Sequence, residues 1–318
     1  GQTVHIACAF SIAEIISVLY SEVLRFPNND PEAPGRDYFI LSKGHGVMAQ
    51  YICLADRGWI SKADLDTYFK DGSNLPGLSE SRIPGCEVSS GSLGHGLPIA
   101  AGLALASKLS NTDQKTFVLV GDGEMNEGTN WEALLFANHK ALDNLIVIVD
   151  QNGFQAMGAT SEVLDMGNLQ EKFHSFGFDV ETVDGHDIAA LEKALQKAKE
   201  FGAPVLVHAI TEKGRGHKPA VADEAEKFHA VGIVDPATGA PLAKSATSWT
   251  KVFSEELVSL GRERKDIVAI TAAMLGPTGL DKFEKAFPDR TFDVGIAEQH
   301  AATSAAGMAF AGLHPVVA

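Results

Sequence analysis

Two apolar runs that end in polar residues decide the fold of this chain: Thr116-Phe-Val-Leu-Val-Gly-Asp-Gly-Glu124 and Asn144-Leu-Ile-Val-Ile-Val-Asp-Gln-Asn152. Short runs rich in Val and Ile are typical of strands buried on both faces of a parallel sheet, and we expect such strands at 116–120 and 144–149. The stretch 131–141 between them has helical character. Together the three elements predict a strand–helix–strand unit in a parallel sheet.

The polar ends of the two runs predict a binding site for a phosphate and a cation. Ligands of open parallel sheets collect outside the carboxyl ends of the strands, so we expect Asp122 and Asn152 to face one crevice. Their side-chain oxygens, with a backbone carbonyl, suit Mg²⁺ held against phosphate, and Gly121 and Gly123 let a diphosphate approach the backbone closely. A strand–turn–helix corner with a capping aspartate would give the same Gly-Asp-Gly letters. The asparagine at this spacing favours the phosphate site.

Helices and strands alternate along the rest of the chain, which is typical of a doubly wound α/β fold. Before the quoted runs, the apolar spacing predicts a helix over 11–24, with Ser11 as its N-cap and Glu14 as the capping-box partner. After them we expect strands at 180–183, 204–210, 267–271 and 292–294, a further strand from 314, and helices at 188–201, 249–262, 280–287 and 297–311.

The segment 213–245 separates these elements into two sets, because Gly, Pro, His and charged residues dominate it and its periodicity vanishes. We therefore expect a first domain over 1–212, a connection over 213–245 and a second domain over 246–318. The second set has too few strands for a complete domain of this type. Since the chain also begins without Met and ends at the start of a strand, we expect it to be a fragment of a longer polypeptide.

The composition excludes several classes of protein. Of 318 residues, 45% are hydrophobic, which excludes a disordered chain, and the net charge of −15 argues against binding to nucleic acid. No apolar run reaches the roughly 20 residues of a membrane span. The three cysteines, Cys8, Cys53 and Cys86, have neither disulfide-framework nor zinc-site spacing, so we expect reduced thiols in a cytoplasmic protein.

The quoted runs and their surroundings resemble the thiamine-diphosphate-dependent transketolase superfamily over essentially the whole chain. The Gly121-Asp-Gly123 and Asn152 pattern resembles the cofactor-binding motif of that superfamily. Two segments are similar to the N-terminal half of transketolases: Asp37-Tyr-Phe-Ile-Leu-Ser-Lys-Gly-His-Gly46 and Gly91-Ser-Leu-Gly-His-Gly96. From Lys213 onward the chain resembles 1-deoxy-D-xylulose-5-phosphate synthases, in Lys213-Gly-Arg-Gly-His-Lys-Pro219, Lys227-Phe-His-Ala-Val231, Phe287-Pro-Asp-Arg290 and Phe292-Asp-Val-Gly-Ile-Ala-Glu-Gln-His-Ala301.

This resemblance implies a thiamine-diphosphate-binding fold, in which a diphosphate-binding domain precedes a truncated pyrimidine-binding domain. It implies thiamine diphosphate and Mg²⁺ as cofactors, with the metal held by Asp122, Asn152 and the Phe154 carbonyl. The residues it places on the cofactor are Gly91, Leu93, Asp122, Gly123, Glu124, Asn152, Phe154, Lys213 and Glu298. The catalytic residues it implies are Glu298, on the aminopyrimidine ring, and His5, His45 and His229, which would face the substrate.

Simpler interpretations of these residues stay open. Glu298 also fits an acid at a helix start, where the macrodipole favours negative charge. A lone histidine is more often structural than catalytic, so His5 depends mainly on the resemblance. The roles of His95 and His217 are undecided. We expect the histidines without a match (His139, His174, His186, His208 and His314) to be structural or on the surface.

The leading functional hypothesis is a transferase of isoprenoid biosynthesis that condenses pyruvate, with loss of CO2, with glyceraldehyde 3-phosphate. The resemblance also implies a homodimer. A transketolase acting on sugar phosphates is the alternative, as is a cofactor-binding subunit that needs a partner chain. Leu78 stands where transketolases commonly carry a histidine after Leu-Pro-Gly, which opposes ketol transfer. Conversely, Gly44-His-Gly-Val-Met-Ala49 replaces the Gly-His-Gln-Ala-Tyr run of the synthases.

Overall fold

The described part of the protein folds into two parallel sheets flanked by helices. The computed structural model describes residues 4–155, 158–223, 227–235, 237–242 and 248–318. The strands are β1 (Tyr38–Leu41), β2 (Thr116–Gly121), β3 (Leu145–Gln151), β4 (Asp179–Asp184), β5 (Val205–Ile210), β6 (Ile267–Thr271), β7 (Thr291–Asp293) and β8 (His314–Val317).

Fourteen α-helices lie between and around these strands in the described ranges, several of them a single turn long. They are α1 (Ala7–Ser11), α2 (Ala13–Val18), α3 (Val47–Asp56), α4 (Lys62–Leu65), α5 (Gly96–Leu109), α6 (Gly128–His139), α7 (Thr160–Val163), α8 (Leu169–Ser175), α9 (Ile188–Glu200), α10 (Lys218–Ala222), α11 (Trp249–Glu263), α12 (Leu275–Thr278), α13 (Asp281–Ala286) and α14 (Glu298–Phe310). Short 3-10 turns cover Pro27–Asn29, Gly44–Gly46, Gly123–Asn126 and Pro288–Arg290, and Leu19–Val23 is a π-helical turn.

The first sheet has the strand order β1-β2-β3-β5-β4, and all its pairs are parallel. Strands β2 and β3 are neighbours joined through α6, so the predicted strand–helix–strand unit is confirmed. Gly121 pairs with Asp150 at the carboxyl ends of these strands. This register brings the segments that follow β2 and β3 to one edge of the sheet.

Alternation along the strands explains why both faces of this sheet are covered. Phe117 and Leu119 of β2 pack into one apolar cluster with helices α2, α3 and α9. Val118 and Val120 point to the opposite face, into a second cluster with α5, α6 and α8. Because side chains alternate with a period of two, an apolar run without polar interruptions needs helices on both faces. The predicted doubly wound α/β fold is confirmed.

The predicted helix over 11–24 is wrong in its details. Helix α1 ends at Ser11, α2 begins at Ala13, and the intervening Ile12 departs from helical geometry with φ −114° and ψ 6°. Ser11 does not cap a helix, because its hydroxyl donates to the Cys8 carbonyl at 3.1 Å and to the Asp150 carboxylate at 2.9 Å. An N-cap hydroxyl accepts a hydrogen bond from a backbone N–H, whereas the Ser11 hydroxyl donates to a buried carboxylate, which is a stronger, charge-assisted hydrogen bond.

The second sheet has the order β7-β6-β8, again parallel. Its strands and the helices α11, α13 and α14 lie within a few residues of their predicted bounds. Parts of the predicted connection, namely 224–226, 236 and 243–245, lie outside the described residues. Cys8, Cys53 and Cys86 are free thiols, as predicted. Within the described ranges, no helix has both the length and the apolarity that crossing a bilayer requires.

Candidate active site

One cavity of about 280 Å³ lies where the carboxyl ends of the first sheet meet the second sheet. Every candidate site residue from the sequence lines it: His5, His45, Gly91, Leu93, Asp122, Gly123, Glu124, Asn152, Phe154, Lys213, His229 and Glu298. The structure adds Cys8, Lys43, Leu78, Gln155 and a wall from the second sheet formed by Ala272, Ala273, Met274 and Ile296. Residues that are distant in the sequence are therefore collected in one place.

Asp122 is a buried acid at the floor of the cavity, with 4% of its surface exposed. Its two carboxyl oxygens accept the backbone N–H groups of Gly123 at 2.9 Å and Gly153 at 2.7 Å. Burial, and then the charge of Asp150, raise the pKa of Asp122 to about 7. Burial and the charge of Asp150 thus destabilise the negative charge of Asp122. A cation bound beside this carboxylate would stabilise that charge.

Asn152 shapes the loop that faces Asp122. Its Oδ1 accepts the backbone N–H of Phe154 at 3.0 Å, and its Nδ2 donates to Oδ2 of Asp150 at 3.0 Å. The carboxylate of Asp122, the amide oxygen of Asn152 and the carbonyl of Phe154 are all hard oxygen donors. Such a set suits a small hard cation better than a soft one.

A buried ion pair between Lys43 and Asp150, which the sequence pattern did not predict, supports this loop. Asp150 accepts from Lys43, Thr211 and Ser11 as well as from Asn152. Burial opposes the ionisation of Asp150, but the charge and hydrogen bond of Lys43 outweigh it and lower its pKa. Both groups are thus charged, and they hold the ends of β1 and β3 together.

Glycines keep the backbone close to the cavity on its other side. Gly91 has φ +132°, and a Cβ there would meet Leu78 Cδ1 at 2.8 Å. The Glu124 carboxylate accepts the N–H groups of Gly94 at 2.9 Å and Gly121 at 3.2 Å, and it also accepts from Ser42. The resemblance predicts that Glu124 contacts the cofactor. Its carboxylate binds backbone and side-chain groups of the protein, and these hydrogen bonds hold the loop that carries Gly91.

Three histidines and a cysteine cluster at one end of the cavity. The ring centroid of His5 lies 5.5 Å from that of His45 and 5.0 Å from that of His229. Burial, followed by neighbouring positive charge, lowers the pKa of His5 to about 4 and of His45 to about 3. Burial also lowers the pKa of His229 to about 4. All three rings are therefore neutral at pH 7, each with one donor and one acceptor nitrogen.

Cys8 completes this cluster, and its Sγ lies 3.5 Å from Nδ1 of His229. Burial alone would raise the pKa of its thiol, but the hydrogen bond with His229 and the charges of Lys43 and Lys213 lower it to about 7. No sequence motif singles out this cysteine. Its significance comes from packing against residues that are remote in the chain.

Lys213 brings positive charge to the same cavity. Its Nζ donates to the Gln155 carbonyl at 2.7 Å and lies 5.8 Å from the centroid of the Phe154 ring. Only 3% of the residue is exposed, and burial lowers the pKa of its ammonium group. A diphosphate in the cavity would give the buried ammonium group of Lys213 a partner of opposite charge.

Glu298 is the first residue of α14 and reaches the cavity from the second sheet. Its side chain is hydrogen-bonded to that of Glu127, which sequence reasoning missed. Burial, then this hydrogen bond and the charge of Glu298, raise the pKa of Glu127 to about 8. A Glu127 carboxyl with its pKa raised to about 8 keeps its proton at pH 7 and can donate a hydrogen bond.

The two undecided histidines lie outside the cavity lining. Nδ1 of His217 accepts the Ala220 N–H at 3.3 Å and caps α10, and its ring stacks on Phe10. Nδ1 of His95 is 3.0 Å from the Leu93 carbonyl oxygen. Both positions indicate local structural roles.

Comparison with known families matches both parts of the chain. Residues 2–250 match the thiamine diphosphate binding domain of transketolase, and residues 245–318 match the pyrimidine binding domain of transketolase. Among solved structures, transketolase from Leishmania mexicana superimposes with a TM-score of 0.67 at 25% identity, over 99% of this chain and 61% of that one.

Curated relatives carry the name 1-deoxy-D-xylulose-5-phosphate synthase. The protein named 1-deoxy-D-xylulose-5-phosphate synthase 2 from Streptomyces avermitilis is 44% identical over 265 residues. The alignment covers 69% of this chain and 41% of that protein. The protein from Thermobifida fusca is 39% identical over 332 aligned residues, 89% of this chain and 51% of that protein. The chain thus spans about half the length, or less, of the curated relatives it matches.

Proposed function

The chain belongs to the transketolase family of thiamine-diphosphate-binding proteins, and from that premise we propose that the protein it represents is a synthase of the 1-deoxy-D-xylulose 5-phosphate type. It would condense pyruvate, with loss of CO2, with glyceraldehyde 3-phosphate. The identities of 39% and 44% to relatives of that name support this choice of reaction.

The residues of the cavity fit thiamine diphosphate together with Mg²⁺. Asp122 is a buried carboxyl that gains from a cation, and Asn152 and Phe154 supply further hard oxygens beside it. Gly123 keeps the turn after β2 free of a side chain, since a Cβ there would meet Cγ of Gln155 at 2.8 Å. Lys213 offers a buried positive charge to the diphosphate.

The protein groups around the other end of the cofactor handle protons. When bound, thiamine diphosphate supplies an acidic carbon that adds to carbonyl groups and allows CO2 to leave. Glu298, whose side chain meets that of Glu127, can as a carboxylic acid donate a hydrogen bond to a ring nitrogen of the cofactor. His5, His45 and His229 are neutral, so they can orient substrate oxygens without adding charge.

One observation supports the synthase over a transketolase: Leu78 lies in the wall of the cavity. The residue is 37% exposed there and packs beside Gly91. An apolar side chain cannot pair with the hydroxyl groups of a ketose donor, and unpaired polar groups weaken binding strongly. It can pack against the methyl group of pyruvate. The transketolase-like segments around His45 and Gly91 support the alternative, a transketolase acting on sugar phosphates.

The test compares donors with the full-length parent protein. We expect CO2 release from pyruvate that depends on thiamine diphosphate, Mg²⁺ and glyceraldehyde 3-phosphate. NMR measures this release. Ketol transfer from a ketose phosphate without CO2 release would support the transketolase. Cofactor binding without either reaction would support the third hypothesis, a subunit that needs a partner chain.

A pair of variants tests the observation on Leu78. We expect Leu78→His to weaken the use of pyruvate, because it puts a polar group against the methyl of the substrate. Leu164→His is the matched control, since Leu164 has a similar exposure of 40% and does not line the cavity. An equal loss of pyruvate use in both variants would show that Leu78 does not select pyruvate.

A further inference from the structure

Cys8, His45 and His229 bring three soft or borderline metal ligands together. One ligand atom from each lies within 4.8 Å of the others, and among the described residues this is the group of histidine, cysteine and acidic side chains close enough to share an ion. Its donors are sulfur and imidazole nitrogen, whereas Asp122, Asn152 and Phe154 offer oxygen. The two sets therefore favour different metals.

The spacing matches tetrahedral zinc. Zn–S bonds of about 2.3 Å and Zn–N bonds of about 2.0 Å place sulfur and nitrogen about 3.6 Å apart around a tetrahedral ion. Sγ of Cys8 and Nδ1 of His229 are 3.5 Å apart. The remaining ligand pairs lie within 4.8 Å, so they would close by about 1 Å to bind the same ion.

The backbone holds these ligands in place from three directions. Cys8 lies on α1, and His45 lies in the turn Gly44–Gly46 after β1. His229 is held against the N-terminal segment, because Val4 and Val231 exchange two backbone hydrogen bonds of 2.9 Å each. Backbone contacts thus bring together ligands from three separate segments of the chain.

We propose that Cys8, His45 and His229 form a binding site for a borderline-soft dication of the Zn²⁺ type, with its fourth position open to the cavity. Three protein ligands and one open position are the arrangement of zinc sites that exchange an outer ligand. The ring of His5, 5.0 Å from that of His229, borders the open side. An ion at this site occupies two of the histidines that face the substrate, so ion and substrate exclude each other.

The binding part of this proposal does not depend on the proposed reaction and is tested with the chain itself. Co²⁺ serves as the spectroscopic probe. We expect one equivalent to produce a sulfur-to-cobalt charge-transfer absorption, which Zn²⁺ abolishes by displacement and excess Mg²⁺ does not. Absence of that absorption, or its removal by Mg²⁺, would overturn the proposal.

Variants assign the ligands. We expect Cys8→Ser to lose the charge-transfer absorption, while Cys53→Ser, which alters a thiol outside the cavity lining, retains it. His229→Gln keeps the sulfur and should weaken Co²⁺ binding by more than about tenfold, the loss found even for partners of metal ligands. Circular dichroism checks that each variant is folded. An unchanged affinity in any folded variant of Cys8, His45 or His229 would contradict the assignment.

Inhibition is measured separately in the full-length parent. We expect Zn²⁺ to raise the apparent KM for substrate, and the inhibition to be much weaker in Cys8→Ser. A parent that binds Co²⁺ as described but condenses no pyruvate would refute the proposed reaction and leave the metal site standing. Conversely, an active parent without the cobalt absorption would refute only the metal site.

Discussion

Asp122 is an acid placed where ionisation costs free energy. Its pKa of about 7 in the folded protein lies well above the ordinary value of an aspartate, about 4. The folded state therefore binds this proton more tightly than the unfolded state, and the free energy of unfolding falls as pH rises from about 4 through about 7.

Replacing Asp122 by asparagine should remove this pH dependence in the absence of metal. A tenfold change in an ionisation constant corresponds to about 1.4 kcal/mol, so we expect Asp122→Asn to gain about 2 kcal/mol relative to the parent between pH 5 and pH 8. Denaturant unfolding with a chelator present, at both pH values, measures this. The surface variant Asp66→Asn is the control, and a slope for Asp122→Asn equal to that of the parent would show that Asp122 ionises normally.

Glu298 separates cofactor binding from proton transfer. Glu298→Gln keeps the size of the side chain but lacks the acidic proton, so in the full-length parent we expect turnover and exchange of the C2 proton of the cofactor to fall by about 10² or more. Cofactor affinity should change far less, because the metal and diphosphate end is intact. NMR after acid quench follows the exchange; exchange as fast as in the parent would leave Glu298 as a helix-start acid only.

The position of residues at the ends of buried strands could be predicted from the sequence. Asp122 and Asn152 are of this kind, since a parallel sheet collects its carboxyl ends at one edge. Lys43, Glu127 and Cys8 are not, because each gains its role from a partner far along the chain. Spacing rules for zinc sites likewise miss ligands that come from three separate segments.

The loop before α5 is the element most dependent on glycine. Gly94 has φ +81°, and a Cβ there would meet Cβ of Glu127 at 2.6 Å, while Gly35 has φ +80° with nothing within 4 Å. We expect Gly35→Ala to cost about 1 kcal/mol of stability from backbone strain alone. Gly94→Ala should cost about 1–3 kcal/mol more, since it also overpacks the loop against α6.

Thermal or denaturant unfolding of the two variants checks this difference. A cost for Gly94→Ala no larger than for Gly35→Ala would mean that the loop moves aside freely. It would then also mean that Glu124, which binds the Gly94 N–H, does not fix the loop firmly.

Elements with long apolar runs were predictable, and elements fixed by polar contacts were not. Strands β2, β3 and β6 follow their predicted bounds closely because burial on both faces requires such runs. Ser11 is not an N-cap because its hydroxyl donates to Asp150, a contact that no local pattern encodes. Strand β1 has only four residues and gave too short a pattern.

At the scale of the whole molecule, we expect a dimer. Leu135 and Phe136 on α6 are 59% and 40% exposed, and Leu109 at the end of the neighbouring α5 is 74% exposed. Sedimentation at micromolar concentration should show a species of twice the chain mass, and Leu135→Glu should shift it to monomer. Ile188→Glu, a similarly exposed position on the opposite face of the first sheet, should not; only monomer in the parent would rule out the dimer.

The order of the two domains along the chain could be predicted from the sequence. Which residues of the second domain line the cavity could not. The wall formed by Ala272, Ala273 and Met274 follows β6 and faces Asp122 across the cavity. Ala273 has φ +58°, and its N–H donates to Asp293 at 2.8 Å. Such a backbone conformation shows only in three dimensions, since the residue itself is an ordinary alanine.

Calorimetry of the chain tests whether this cavity binds thiamine diphosphate through a metal at Asp122. We predict saturable binding of thiamine diphosphate in Mg²⁺, and its loss both with a chelator and in a folded Asp122→Ala variant, because the one anionic ligand assigned to the metal is then missing. No binding by the chain in Mg²⁺, or an unchanged affinity in Asp122→Ala, would contradict the account.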